Sequence, residues 1–171
     1  MQLRVEHTID LPAAQFFEHI YFDEDFNRHL YEELAFTERT VLEQVDQGDT
    51  ILRRVRLVPL RDIPGVFKKA LRGASLAFEE ETRYYKSQQR ADIVVIPTIK
   101  PDKVKVKGTF WLESDGADRC KRLFEVDVNV NVFAVGPMAE KLILADIVNS
   151  HDKAAEVTNR YIRQNLQGRI R

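Results

Sequence analysis

With 171 residues, a formal net charge of −1 and 44% hydrophobic residues, the chain has the apolar mass for one compact domain and too little charge imbalance for general polyanion binding. A single cysteine, Cys120, excludes an internal disulfide and leaves no Cys-x-x-Cys pair for zinc or redox work. The apolar runs are short and the opening Met1-Gln2-Leu3-Arg4 has no signal-like core, so the expectation is a cytoplasmic protein with one domain over 1–171.

Leu3, Val5, His7, Ile9 and Leu11 alternate with Arg4, Glu6, Thr8 and Asp10, the period-two pattern of a strand with one buried face, and His7 shares that face. Pro12 then opens a helical stretch over 13–21. Asp23 can cap a second helix reaching residue 34, because Phe26, Leu30 and Leu34 recur every four residues. Strands follow over 36–45 and 50–58, joined by the turn sequence Asp46-Gln47-Gly48-Asp49. Acids dominate from Glu18 to Glu43 and bases from Arg53 to Arg72, so charge is unevenly placed although the total is near neutral.

The stretch 59–75 interrupts the pattern with prolines and glycines around a basic, amphipathic piece containing Val66, Phe67, Lys68, Lys69, Leu71 and Arg72. Such a segment can gate an interior or rest transiently on an anionic membrane, with its bases on phosphates and its apolar side among headgroups. Equally, it can be a solvated loop whose Phe67 and Leu71 pack on the sheet. Further strands are expected over 76–86, 92–99, 103–114 and 119–133, with Lys100-Pro101-Asp102 and Asp115-Gly116-Ala117-Asp118 as turns. Lys103, Lys105 and Lys107 share a face with Trp111 while Val104, Val106 and Phe110 take the other; that is a half-exposed strand, and no nucleic-acid partner is expected.

From Gly136-Pro137 a long amphipathic helix runs to about Leu166, with Ile143, Ile147, Ala154 and Leu166 among the residues of one broad arc. Glu140, His151, Thr158 and Asn165 intrude on that arc, where polar groups need partners or a ligand. One strand, two short helices, six strands and one long helix favour an antiparallel sheet of consecutive hairpins curled around the terminal helix.

This order, from Val5-Glu6-His7-Thr8-Ile9-Asp10-Leu11-Pro12 to Gly136-Pro137 and the long helix, resembles the START-like superfamily, which includes the birch pollen allergen and the polyketide cyclases. The stretch 59–81, then Ile96-Pro97 and Lys103-Val104-Lys105-Val106-Lys107-Gly108, resembles an uncharacterised bacterial group within it. The resemblance implies an α+β helix-grip fold: a curved seven-stranded antiparallel sheet around a long C-terminal helix, with two short helices after strand one. It also implies an apolar cavity between sheet and helix, with 59–75 at its mouth.

The resulting expectation is a container that binds or transfers a hydrophobic, lipid-like molecule. Its wall residues are Ile143, Ile147, His151, Ala154 and Thr158 from the helix and Phe110, Val128 and Val130 from the sheet, with His7 beside them. Glu38, Arg53, Glu80 and Thr82 alternate with Phe36, Ile51, Val55 and Phe78, so a few charges line the same interior if those apolar neighbours point inward. The alternative is a small cyclase, dehydratase or hydrolase in which His7 or His151 acts as base while Arg53, Glu80 or Tyr84 orients a polar substrate. His7, His19, His29 and His151 lack metal-ligand spacing, and phosphate-loop, dinucleotide, zinc-protease and serine-elbow motifs are missing, so neither metal nor cofactor is expected.

Overall fold

In a computed structural model, which describes residues 1–60 and 76–167, the chain alternates as the sequence pattern requires. The segment carrying Val66, Phe67, Lys68, Lys69, Leu71 and Arg72 lies outside the described residues. Strand β1 (Gln2–Ile9) leads into the short helix α1 (Ala13–Phe16), which widens into a π-type turn (Phe17–Tyr21). Helix α2 (Glu24–Glu33) starts where Asp23 accepts a hydrogen bond from the Phe26 amide at 2.7 Å, satisfying one of the amides a helix start leaves free. Six strands follow: β2 (Phe36–Asp46), β3 (Thr50–Pro59), β4 (Phe78–Tyr85), β5 (Arg90–Pro97), β6 (Val104–Ser114) and β7 (Cys120–Val130). Helix α3 (Gly136–Tyr161) closes the fold and continues as a second wide turn (Ile162–Leu166).

All seven strands pair antiparallel in the order β1-β7-β6-β5-β4-β3-β2, so the first strand returns to sit beside the last. Helix α3 lies on β1 and β7, and α2 bridges α3 and β2. Asn159 ties α3 to the end of β1, accepting from the Asp10 amide and donating to the Thr8 carbonyl. Arg160 binds Glu33 at 2.8 Å, and Lys153 donates to the Glu33 carbonyl, which fastens α2 to α3.

Strand β7 stops at Val130, not at residue 133, and Phe133 is 98% exposed. The turn into α3 explains this. The Gly136 amide donates back to the Val132 carbonyl, and a Cβ on Gly136 would stand 2.4 Å from the Val130 oxygen, so only glycine permits the approach. Glu140, one of the polar residues on the inward arc, accepts from the Val130 amide at 2.9 Å and so satisfies the strand end. No helix among the described residues is long and apolar enough to cross a membrane.

Candidate functional site

The strand registers arrange the inward side chains in rows across the sheet, each row two residues, or about 7 Å, from the next. The outermost row holds Leu57, Phe78, Pro97, Val104 and Val130; the next holds Val55, Glu80, Val95, Val106 and Val128. Then come Arg53, Thr82, Ile93, Gly108, Val126 and Leu3. Ile51, Tyr84, Ala91, Phe110, Phe124 and Val5 make the fourth row, and Leu112, Arg122 and His7 the fifth.

The fourth row is closed by rings. Phe16, Phe17, Tyr21 and Phe22, delivered by α1 and its wide turn, pack against Tyr84 and Phe110; Phe17 stacks on Tyr84 at 3.9 Å and lies 5.5 Å from Phe110. These rings form a floor beneath the first three rows. Above it the packing loosens toward β4, β5 and α3. Val128 and Val106 are buried, while Ile93, Val95, Val104, Ile143 and Ile147 pack on the core yet stay only partly buried.

Beyond the floor, the fifth row joins the sheet to α3 through a polar chain. Arg122 is buried, and its Nη2 donates to His7 Nδ1 at 3.2 Å and to the His151 carbonyl at 2.9 Å. A guanidinium can only donate, so Nδ1 is the acceptor and His7 Nε2 carries the proton that it donates to Asp152 Oδ1 at 2.8 Å. The His151 ring stacks on Phe124 at 4.3 Å and 11°. Burial, reinforced by the positive charge of Arg122 and by His7, pushes His151 down to about 3. Burial likewise brings Arg122 down to about 10.

The candidate residues therefore divide into two groups. Arg53, Glu80, Val128, Val130, Ile143 and Ile147 belong to the open rows or to the part of α3 that precedes His151, whereas His7 and His151 lie in or beside the fifth row. Phe110 stands in the floor between them. Ala154 and Thr158 are buried further along α3, and the Thr158 hydroxyl donates to the Ala154 carbonyl at 2.6 Å within its own helix. Glu38 points away from this interior: a bulge separates Phe36 from Glu38 in β2, and Glu38 pairs with Arg56 at 3.3 Å.

A polar patch interrupts the apolar wall at rows two and three. Arg53 is 5% exposed, its Nη1 donates to the Tyr21 carbonyl at 3.0 Å, and its guanidinium lies over the rings of Tyr21 and Phe22 at 4.6 and 4.8 Å. The Thr82 and Tyr21 hydroxyls lie 3.2 Å apart. Burial raises the Glu80 carboxyl above the usual carboxylate range despite the opposing pull of Arg53 and Arg39. Arg39 itself grips Glu24 with two donors and faces Tyr31. Tyr21, Tyr31, Arg39, Arg122 and Asp152 were not singled out by sequence reasoning; Arg122 alone carried a signal, being in phase with Phe124, Val126, Val128 and Val130.

Two surface depressions lie outside this interior, one of about 190 Å³ between α2 and β2 beside Tyr31 and Arg39, and one of about 450 Å³ against Arg4, Lys107, Thr109 and Glu125 on the outer face of the sheet. On that outer face Arg4 lies over Trp111.

The model of the family described as Protein of unknown function (DUF2505) matches residues 4–162. No curated protein matches. Among solved structures, the ZhuI aromatase/cyclase from Streptomyces sp. R1128 superposes with a TM-score of 0.67 at 14% identity, covering 99% of each chain. A START superfamily protein from Mycobacterium smegmatis gives 0.60 at 16% identity, over 95% of this chain and 97% of that one. Norcoclaurine synthase from Thalictrum flavum, in complex with dopamine and hydroxybenzaldehyde, gives 0.63 at 16% identity, over 96% and 87%. The chain thus shares the helix-grip fold of these structures.

Proposed function

We propose that this chain, which belongs to the family described as Protein of unknown function (DUF2505), binds or transfers a hydrophobic, lipid-like molecule held between the sheet and α3. The observation that carries the reading is the contrast between the two ends of the interior. Rings close one end, while at the other Ile93, Val95, Val104, Ile143 and Ile147 point inward and remain partly accessible, which a finished core would not leave. An apolar guest covering them gains about 25 cal/mol per Å² of surface withdrawn from water. Norcoclaurine synthase, which has this fold, is in complex with dopamine and hydroxybenzaldehyde, which supports a small-molecule guest here too.

A histidine-based enzyme draws less support. Both ring nitrogens of His7 are engaged, by Arg122 and Asp152, and His151 is held neutral with its ring stacked on Phe124. Such a pair serves to dock α3 more readily than to move a proton at a substrate.

Native mass spectrometry of the purified protein, with organic extraction of whatever accompanies it, tests the reading. One equivalent of an apolar molecule, displaced by added fluorescent fatty acid or sterol and lost in Ile147→Glu, is the expected result. A protein that is empty and ignores both probes would defeat it.

A further inference from the structure

Rows two and three of the inner face carry a guanidinium withdrawn from water with no carboxylate of the described residues in contact. Arg53 is 5% exposed, yet among the described residues no carboxylate forms an ion pair with it, and its Nε is buried without a hydrogen-bond partner. It donates to the Tyr21 carbonyl and lies over two aromatic faces, and the Glu80 carboxyl acts on it through space without an ion-pair contact. The nearest acid on the same face is Glu80, one row outward on the neighbouring strand, and burial drives its carboxyl toward the protonated form. Buried charge is costly without an opposite charge, so this arrangement favours a guest that brings one.

The geometry points to a carboxylate: we propose that the ligand is an amphiphile with a carboxylate head, bound head-inward so that the head meets Arg53 and Thr82 while its apolar tail occupies the outer rows toward Val104, Val130 and Ile143. This rests on the container reading above. Arg53 lies two rows, roughly 13 Å, inward of Leu57, and the floor of Phe17, Tyr21, Tyr84 and Phe110 stops deeper entry. Burial raises the Glu80 carboxyl, which lowers its resistance to a second carboxylate beside Arg53. A dianionic phosphate head would set a second negative charge beside the same carboxyl, which favours the singly charged acid.

Isothermal titration calorimetry with decanoate and 1-decanol, which share a chain length and differ in head charge, tests this in the wild-type protein and in Arg53→Met. The wild type is expected to prefer decanoate roughly tenfold or more, as a charge-assisted hydrogen bond would give. Arg53→Met should lose that preference and still bind decanol within about threefold of the wild type, since its apolar stem is kept. Equal affinities in the wild type, or a preference surviving in Arg53→Met, would overturn the head-inward acid and leave the container intact; binding of neither chain would overturn both. Should Arg53→Met not fold, the ¹³C carboxyl resonance of decanoate bound to the wild type decides. It should stay ionised to lower pH than free decanoate, and protonation at higher pH than free decanoate would refute the contact.

Discussion

Replacing Gly108 with alanine probes the packing that joins the sheet to α3. A Cβ at this position would lie 2.4 Å from Phe124 Cε2 and 2.6 Å from Cζ, with the Glu125 carbonyl oxygen at 3.2 Å. Carbon atoms rest about 3.5 Å or more apart, so the ring must retreat by roughly 1 Å. Phe124 is only 6% exposed and stacks on His151, so the displacement is transmitted to α3 and not absorbed by solvent. Overpacking of this kind costs about 1–3 kcal/mol, and the stiffer unfolded chain that follows loss of a glycine offsets about 0.4–1 kcal/mol. A net destabilisation of about 1–2 kcal/mol is expected, seen in urea unfolding as a lower midpoint at unchanged slope. Phe124→Leu removes the obstructing ring edge, so the penalty of Gly108→Ala should shrink in that background by at least about 0.5 kcal/mol. An alanine variant as stable as the wild type, or strict additivity in the double variant, would refute the claim that the ring rests on the glycine.

Acid should weaken the fold through His151. Its folded pKa of about 3 lies below the ordinary value of 6.5, so between those values the unfolded chain binds the extra proton. The stability it contributes is complete above about pH 6.5 and is lost as pH falls toward 3, at no more than about 1.4 kcal/mol per pH unit and less because the ring keeps some exposure. His151→Phe should flatten that part of a Tm profile between pH 7 and 4, and a wild type and variant that decline in parallel would contradict the assignment. Thr158→Val should change stability by no more than about 1 kcal/mol and leave decanol affinity unaltered, because the hydroxyl is spent on a carbonyl that keeps its helical amide; loss of binding in this variant would place Thr158 at the guest instead.

Much of the fold was legible because its signals are periodic. The alternation of β1 and β7, the Asp23 cap and the Gly136-Pro137 start of α3 all stand where the pattern of residues puts them. The inward course of Arg53, Glu80 and Thr82 follows from the same parity, since Ile51, Val55 and Phe78 share their face. Parity fails at bulges, and so Glu38, beyond a shift in β2, faces its neighbour Arg56 on the outside. The depth of the interior was illegible for a different reason. Whether the space is filled depends on Phe16, Phe17, Tyr21 and Phe22, which are local to the chain just after β1 but pack on β4 and β6, and periodicity within a helix says nothing about which distant strand receives its rings. The chain Arg122 to His7 to Asp152 was hidden in the same way, because it needs three elements brought together at one level of the sheet.

That division of labour between the ends predicts that stability and binding separate under mutation. Phe110 is 4% exposed and contacts three rings of the floor, so Phe110→Ala should cost about 3–5 kcal/mol, as truncation of a buried aromatic does. Val95 is only partly buried in row two, so Val95→Ala removes less from the core and should cost under about 1.5 kcal/mol. The ranking should reverse for the guest. Val95→Ala strips contact from the wall that an apolar tail would touch and should weaken decanoate binding several-fold at nearly native stability, measured by calorimetry and urea unfolding on the same protein. If Val95→Ala instead lowers stability as much as Phe110→Ala and leaves affinity untouched, the outer rows are ordinary core, and the partial exposure of their side chains has nothing to do with a ligand.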